Sequence, residues 1–123
     1  MLVLLTFIFS LCLAFASTQA LYNHNSASYV NQTWMTNLDD GIPIRQMTIL
    51  GTHSSMSQGT WGDAFQTQAS SITTQLNSGV RALDIRCNHK NNKLYAYERM
   101  INLNTELSGV LSQVGSFLAR FPG

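Results

Sequence analysis

Charge is scarce in this sequence. Of its 123 residues 11% are charged, 7 Lys or Arg against 6 Asp or Glu, leaving a formal net charge of +1. That balance excludes the basic patch that nucleic-acid phosphates require, so no nucleic-acid partner is expected. It equally excludes a polybasic membrane-binding segment. No charged side chain precedes Asp39. Leu2 to Ala16 is almost wholly apolar, and such a run at the extreme N-terminus, followed by small residues, reads as a signal peptide rather than a spanning helix. Ala14-Phe15-Ala16 and Thr18-Gln19-Ala20 both fit a small-x-small cleavage site, and the second is favoured, giving a signal peptide over residues 1–20. Only the α-amino group supplies positive charge there, so an uncleaved anchor is the alternative.

Cysteine is rarer still, with 2 in the chain. Cys12 leaves with the signal peptide and Cys87 then stands alone, either inert or seeking a partner in an oxidising compartment. Secretion also makes Asn31-Gln32-Thr33 an N-glycosylation sequon. It closes a stretch, residues 21–33, rich in Asn, Ser, Tyr and His and without periodicity, which is expected to be a flexible leader; His24 within it has no supporting neighbours.

Trp34, Met35 and Leu38 suit a short docking turn that Asp39-Asp40-Gly41 breaks, and Pro43 is expected to discourage a new helix. Met47 to Leu50 is β-prone and reads as the first strand. It runs into Gly51-Thr52-His53-Ser54-Ser55-Met56, with no Glu or Lys to suggest a solvated helix. Glycine permits a sharp turn and close backbone approach, and His53 is the one side chain whose ordinary pKa lets it exchange protons near neutrality. A strand ending in such a cluster is how α/β enzymes present catalytic groups; a histidine serving only as a hydrogen-bonded turn residue is the plainer alternative.

Met56 to Ala69 reads as a loop with a short helical turn. Ser70 or Ser71 can cap a helix in which Ile72 and Leu76 share a face, and Gly79 terminates it. Val80 to Ile85 is the second strand. Side chains two apart share a strand face, so Val80, Ala82, Asp84 and Arg86 are expected on one side and Arg81, Leu83 and Ile85 on the other. Two opposite charges on one strand face are costly unless they pair or meet a charged ligand; a structural ion pair satisfies that as well as a site does. Asn88 to Asn92, with His89, reads as a polar turn, and Lys93 to Tyr97 as a third strand. Leu107, Val110, Leu111, Val114, Phe117 and Leu118 repeat at helical spacing and form a core-facing stripe. Asn104 or Thr105 is the expected N-cap, Glu106 suits the first turn, Arg120 the last, and Pro122 stops the helix. The element order suggests a mainly parallel α/β layer.

In order and spacing, Trp34-Met35, Pro43, Gly51 to Met56, Trp61-Gly62-Asp63, Gln66-Thr67-Gln68, Ser71 to Leu76 and Gly79 to Arg86 resemble the X domain of the phosphatidylinositol-specific phospholipase C family, its bacterial-type and secreted members most closely. The resemblance runs from about Trp34 to the end, making 34–123 a partial X domain. It implies the N-terminal portion of an irregular TIM-like (β/α)8 barrel, incomplete in this chain, since a closed barrel takes about 250 residues. It further implies a phosphoric diester hydrolase whose substrate is phosphatidylinositol or an inositol-phosphate headgroup, met transiently at a membrane surface by a secreted protein. Family members make the inositol 2-hydroxyl attack phosphorus, releasing diacylglycerol and a cyclic inositol phosphate. On this resemblance His53 matches the general base, Arg86 the arginine that metal-free members use where animal enzymes hold calcium, and Asp84 the strand acid that organises it. No cofactor is implied, and calcium ligands of the animal type are not visible.

Two positions depart from the family pattern. Ser54, still a candidate to contact substrate, stands where the family has Asp or Asn and cannot supply a carboxylate's charge. Glu98 stands in place of the acid histidine, and arginines beside it favour its ionised form. Loss of a general acid costs about 10²–10⁴ in rate, so activity is expected to be impaired, and the alternative is a non-catalytic headgroup-binding protein or a truncated relic.

Overall fold

The computed structural model describes residues 30–59 and 66–122. The expected signal peptide, Cys12, His24, most of the leader and Trp61-Gly62-Asp63 lie outside those residues. The chain enters through a 3-10 turn, Trp34–Asn37, and a second one, Ile44–Gln46. Pro43, expected to oppose a helical turn, instead sits at the N-cap of the second, with ψ at 138°; proline's missing N–H costs nothing at a helix start.

The first strand, β1, is Gly51–Thr52, not Met47 to Leu50. It pairs in parallel with β2, Ala82–Leu83, in the register Gly51 with Ala82 and Thr52 with Leu83. Before Gly51 the only ladder-like contacts are at Leu50, whose carbonyl accepts from Arg81 and Ala82 N–H at 3.0 and 3.1 Å. β-prone residues without a facing strand stay merely extended. Gly51 suits that close pairing, because a Cβ there would lie 3.1 Å from the Ala82 Cβ, tighter than an ordinary contact.

Between them lies α1, Ile72–Asn77. Ser71 is its N-cap and accepts from Thr74 N–H at 3.2 Å. Gly79, at φ +101°, turns the chain from helix to strand, a conformation glycine adopts without strain. Gly79 O also accepts from the Trp34 indole N–H at 2.9 Å. Because the strand begins only at Ala82, its alternation does not reach back to Val80. Val80 is buried, while Ala82 is exposed.

After β2 comes a second, wholly antiparallel sheet, where a mainly parallel layer was expected. β3, Cys87–Lys90, β4, Lys93–Glu98, and β5, Ile101–Glu106, form a three-stranded meander in that order. Asn88 to Lys90, expected in a turn, pair with β4; the turn itself is Asn91 and Asn92, at φ 51° and 58°. Asparagine tolerates the left-handed region that tight hairpins demand. β5 occupies residues read as a helix approach. Asn104 is left-handed, at φ 53°, and the N-cap of α2, Leu107–Arg120, is Glu106, which gives no side-chain cap bond and pairs with Lys93 at 2.7 Å.

α1 and α2 close over one core of Ile72, Leu76, Val110 and Phe117, with Met56, Leu83, Ile85, Leu107, Val114 and Phe121 against it. Each such buried side chain contributes about 1.5–3 kcal/mol. The α2 stripe is only half covered: Leu111 and Leu118 are 60% and 52% exposed. Arg81 ties the layers together. Its guanidinium donates to Leu76, Val80 and Gln32 carbonyls and stacks over Trp34 and Phe117. Asn31 N–H bonds Asn77 O at 2.8 Å, so the end of the stretch read as flexible leader is fastened to the fold, and the sequon residue Asn31 is half-buried there.

Candidate active site

The tips of β1 and β2 lie side by side, and the chain beyond each carries the polar groups. His53 follows β1 immediately and Asp84 follows β2. His53 Nδ1 lies 3.1 Å from Asp84 Oδ2, and Arg86 Nη2 donates to the same oxygen at 3.0 Å. Arg86 Nε stands 3.4 Å from Asp84 Oδ1, and Nη2 is 3.4 Å from His53 Nδ1. One carboxylate therefore gathers an imidazole and a guanidinium from different strands. An Nδ1–H given to Asp84 leaves Nε2 with its lone pair, the state a proton acceptor needs. His53 and Arg86 remain open, their side chains 64% and 45% exposed. A hollow of about 440 Å³ opens there, lined by Gly51, Thr52, His53, Ala82, Leu83 and Asp84. A separate hollow of about 330 Å³, between the 55–59 loop, the start of α1 and β5, touches none of His53, Asp84 or Arg86.

Ser54 is buried, at φ 45°, and its backbone N–H donates to Asp84 Oδ2 at 3.0 Å while its hydroxyl lies 3.4 Å from His53 Nε2. The Ser54 N–H bond, then the Arg86 side chain, hold the Asp84 carboxyl below its ordinary value. Asp84 in turn holds Arg86 above its own. Glu98, at the end of β4, reaches the same cluster, with Oε1 3.7 Å from Arg86 Nη1. Arg99 beside it lies in the hairpin turn at φ 53°. His89 and Cys87 lie exposed on β3. Among the described residues no group of three or more His, Cys, Asp or Glu is placed to hold a metal ion, and no helix is long and apolar enough to cross a membrane.

Sequence reasoning missed the scaffold beneath these groups. Ser55 N–H donates to Asp84 O at 2.9 Å, and Ser55 Oγ accepts from Asp84 N–H at 2.9 Å. Gln75, 3% exposed, donates to Ser55 O and Ser70 O, both at 2.8 Å, and accepts from Thr52 Oγ at 2.7 Å. A buried amide with both protons and its oxygen engaged fixes one arrangement. Its signal was available: Gln75 falls on the apolar face of α1, between Ile72 and Leu76. The loop is tied down similarly, with Thr67 Oγ and Gln68 Nε2 donating to His53 O at 3.2 and 2.8 Å.

A parallel strand pair with a crossover helix, its polar cluster set just past the strand tips, defines part of an irregular TIM-like α/β barrel. Comparison with known proteins agrees. No family model matches the chain. It is 39% identical to the 1-phosphatidylinositol phosphodiesterase of Listeria monocytogenes over 101 residues, 77% of this chain and 31% of that protein. It is 31% identical to the same-named protein of Staphylococcus aureus over 106 residues, 80% of this chain and 33% of the other. Among solved structures, phosphatidylinositol-specific phospholipase C of S. aureus superposes with a TM-score of 0.69 at 31% identity, covering 74% of this chain and 32% of that one. The L. monocytogenes enzyme superposes with a TM-score of 0.63 at 35% identity, covering 76% and 35%. By sequence and fold the chain is a relative of the bacterial phosphatidylinositol-specific phospholipases C. It spans about a third of the length of the curated relatives it matches.

Proposed function

We propose that the cluster at the strand tips is a phosphodiester-cleaving site of the phospholipase C type, acting on phosphatidylinositol or a related inositol-phosphate headgroup at a membrane surface. The observation that carries this reading is the convergence of His53 and Arg86 on the Asp84 carboxylate, at 3.1 and 3.0 Å. His53 Nε2 takes the proton of the inositol 2-hydroxyl as that oxygen bonds to phosphorus. Arg86 faces the phosphoryl oxygens, where charge develops. The bond from phosphorus to the glycerol oxygen breaks, and a proton must reach that oxygen to release diacylglycerol and leave a cyclic inositol phosphate. Glu98 stands nearest the place of the proton donor, where the family pattern has a histidine. Turnover is accordingly slow in this chain, lowered by about 10²–10⁴ relative to a site with a competent acid. We further propose secretion, with residues 1–20 removed, on the apolar charge-free start of the sequence.

Incubating the secreted chain with phosphatidylinositol vesicles tests the reading. Cyclic inositol phosphate should accumulate slowly and vanish in His53→Ala and Arg86→Ala. A chain that binds the headgroup through Arg86 without any product fits the second reading, a non-catalytic headgroup binder. The position of Glu98 against Arg86 favours that reading over a chain with no function.

A further inference from the structure

Glu98 closes the site from the β4 side, and at 4% exposure its carboxylate is almost wholly removed from water. Its Oε1 lies 3.7 Å from Arg86 Nη1. Asp84 already engages Nε and Nη2 of the same guanidinium. The Arg86 guanidinium thus stands between two carboxylates, Asp84 and Glu98. An anion approaching the open side of Arg86 gains from the guanidinium and meets Glu98 at close range. The repulsion scales with the ligand's own charge, and burial weakens the screening that water and salt would give.

We propose that Glu98 sets the charge selectivity of this site: it admits a singly charged phosphodiester and rejects a dianionic phosphomonoester. This rests on the reading of Arg86 as the phosphoryl-binding group and adds to it the class of phosphate that Arg86 accepts. Such a bias also favours departure of any monoester formed by later ring opening. The side chain that displaces the expected acid therefore acts as a filter on Arg86.

The test titrates the full chain with dimethyl phosphate, singly charged, and with phenyl phosphate at about pH 8, where a phosphomonoester with a second pKa near 6 is dianionic. Binding is followed at the Arg86 Nε–H and His53 ring resonances. The native chain should bind the diester at least tenfold more tightly than the monoester, a difference of about 1.4 kcal/mol. Glu98→Gln should abolish or reverse that preference, chiefly by strengthening monoester binding, and adding Arg86→Ala should remove binding of both. Glu98→Met, also unbranched and uncharged, gives the same comparison should the Gln variant not fold. Equal affinities in the native chain, or a preference that survives the loss of the Glu98 charge, overturns the proposal. If neither probe binds any variant while vesicles still yield cyclic product, the Glu98 filter falls and the phosphodiesterase reading stands. If both fail, both fall.

Discussion

Asp84 is the residue on which the site's geometry turns, because one of its oxygens meets His53, Arg86 and the Ser54 N–H together. Its carboxyl titrates below the ordinary value, held there first by Ser54 N–H and then by Arg86. The sign follows from linkage. Stability from a depressed carboxylate is fully present above the unfolded pKa of about 3.9 and is lost as pH falls through the lower folded value. Asp84→Asn should therefore flatten the dependence of Tm on pH below about 4. In the same variant the 15N spectrum of His53 should lose its preference for a protonated Nδ1. A native-like acid limb together with a native-like ring spectrum would show that Asp84 organises neither. His53, Asp84 and Arg86 were legible in the sequence because histidine, aspartate and arginine at strand ends are conspicuous by residue type. Glu98 entered only through the family resemblance, since its residue type does not show how β4 lies against Arg86.

At the scale of elements, α1 is short, and it holds through its caps and one buried amide. Ser71→Ala removes the acceptor for Thr74 N–H and should cost about 1 kcal/mol. For a domain of this size that lowers Tm by about 4–8 °C. Gln75→Leu should cost more, roughly 3 kcal/mol, because it strands the buried Ser55 carbonyl and takes a partner from the half-buried Ser70 carbonyl and Thr52 hydroxyl. Urea unfolding of both variants decides: equal losses would mean that Gln75 is an ordinary helix residue. The helix itself was readable from Ser71, the Ile72 and Leu76 spacing and Gly79, all local signals. β5 was not, because Asn104 and Thr105 suggested a cap. In the structure Asn102 Oδ1 accepts from Asn104 N–H at 2.8 Å within a strand that Tyr95 and Tyr97 pair irregularly. Asparagine bonds its neighbouring backbone in caps and in bulged strands alike, so residue type could not choose between them.

Across the whole molecule, α2 covers the core with one row of its stripe and leaves the other in the open. Phe117→Ala should cost about 3–5 kcal/mol, whereas Leu118→Ala, one residue on and half exposed, should stay within about 1 kcal/mol. Comparable losses in thermal unfolding would mean that α2 is rotated from the position described. Periodicity showed that a helix must bury some of Leu107, Val110, Leu111, Val114, Phe117 and Leu118, and it could not say which row. What the residues determined unaided was local: a cap at Ser71, a turn at Gly79, and an imidazole and a guanidinium at the ends of two extended segments. What only the tertiary structure decided was which groups meet: His53 on the Asp84–Arg86 pair, Gln75 beneath Ser55, Glu98 against Arg86. Caps and turns arise between residues a few positions apart, whereas those contacts join segments 12 to 33 positions apart in the chain, and no sequence window that short contains them.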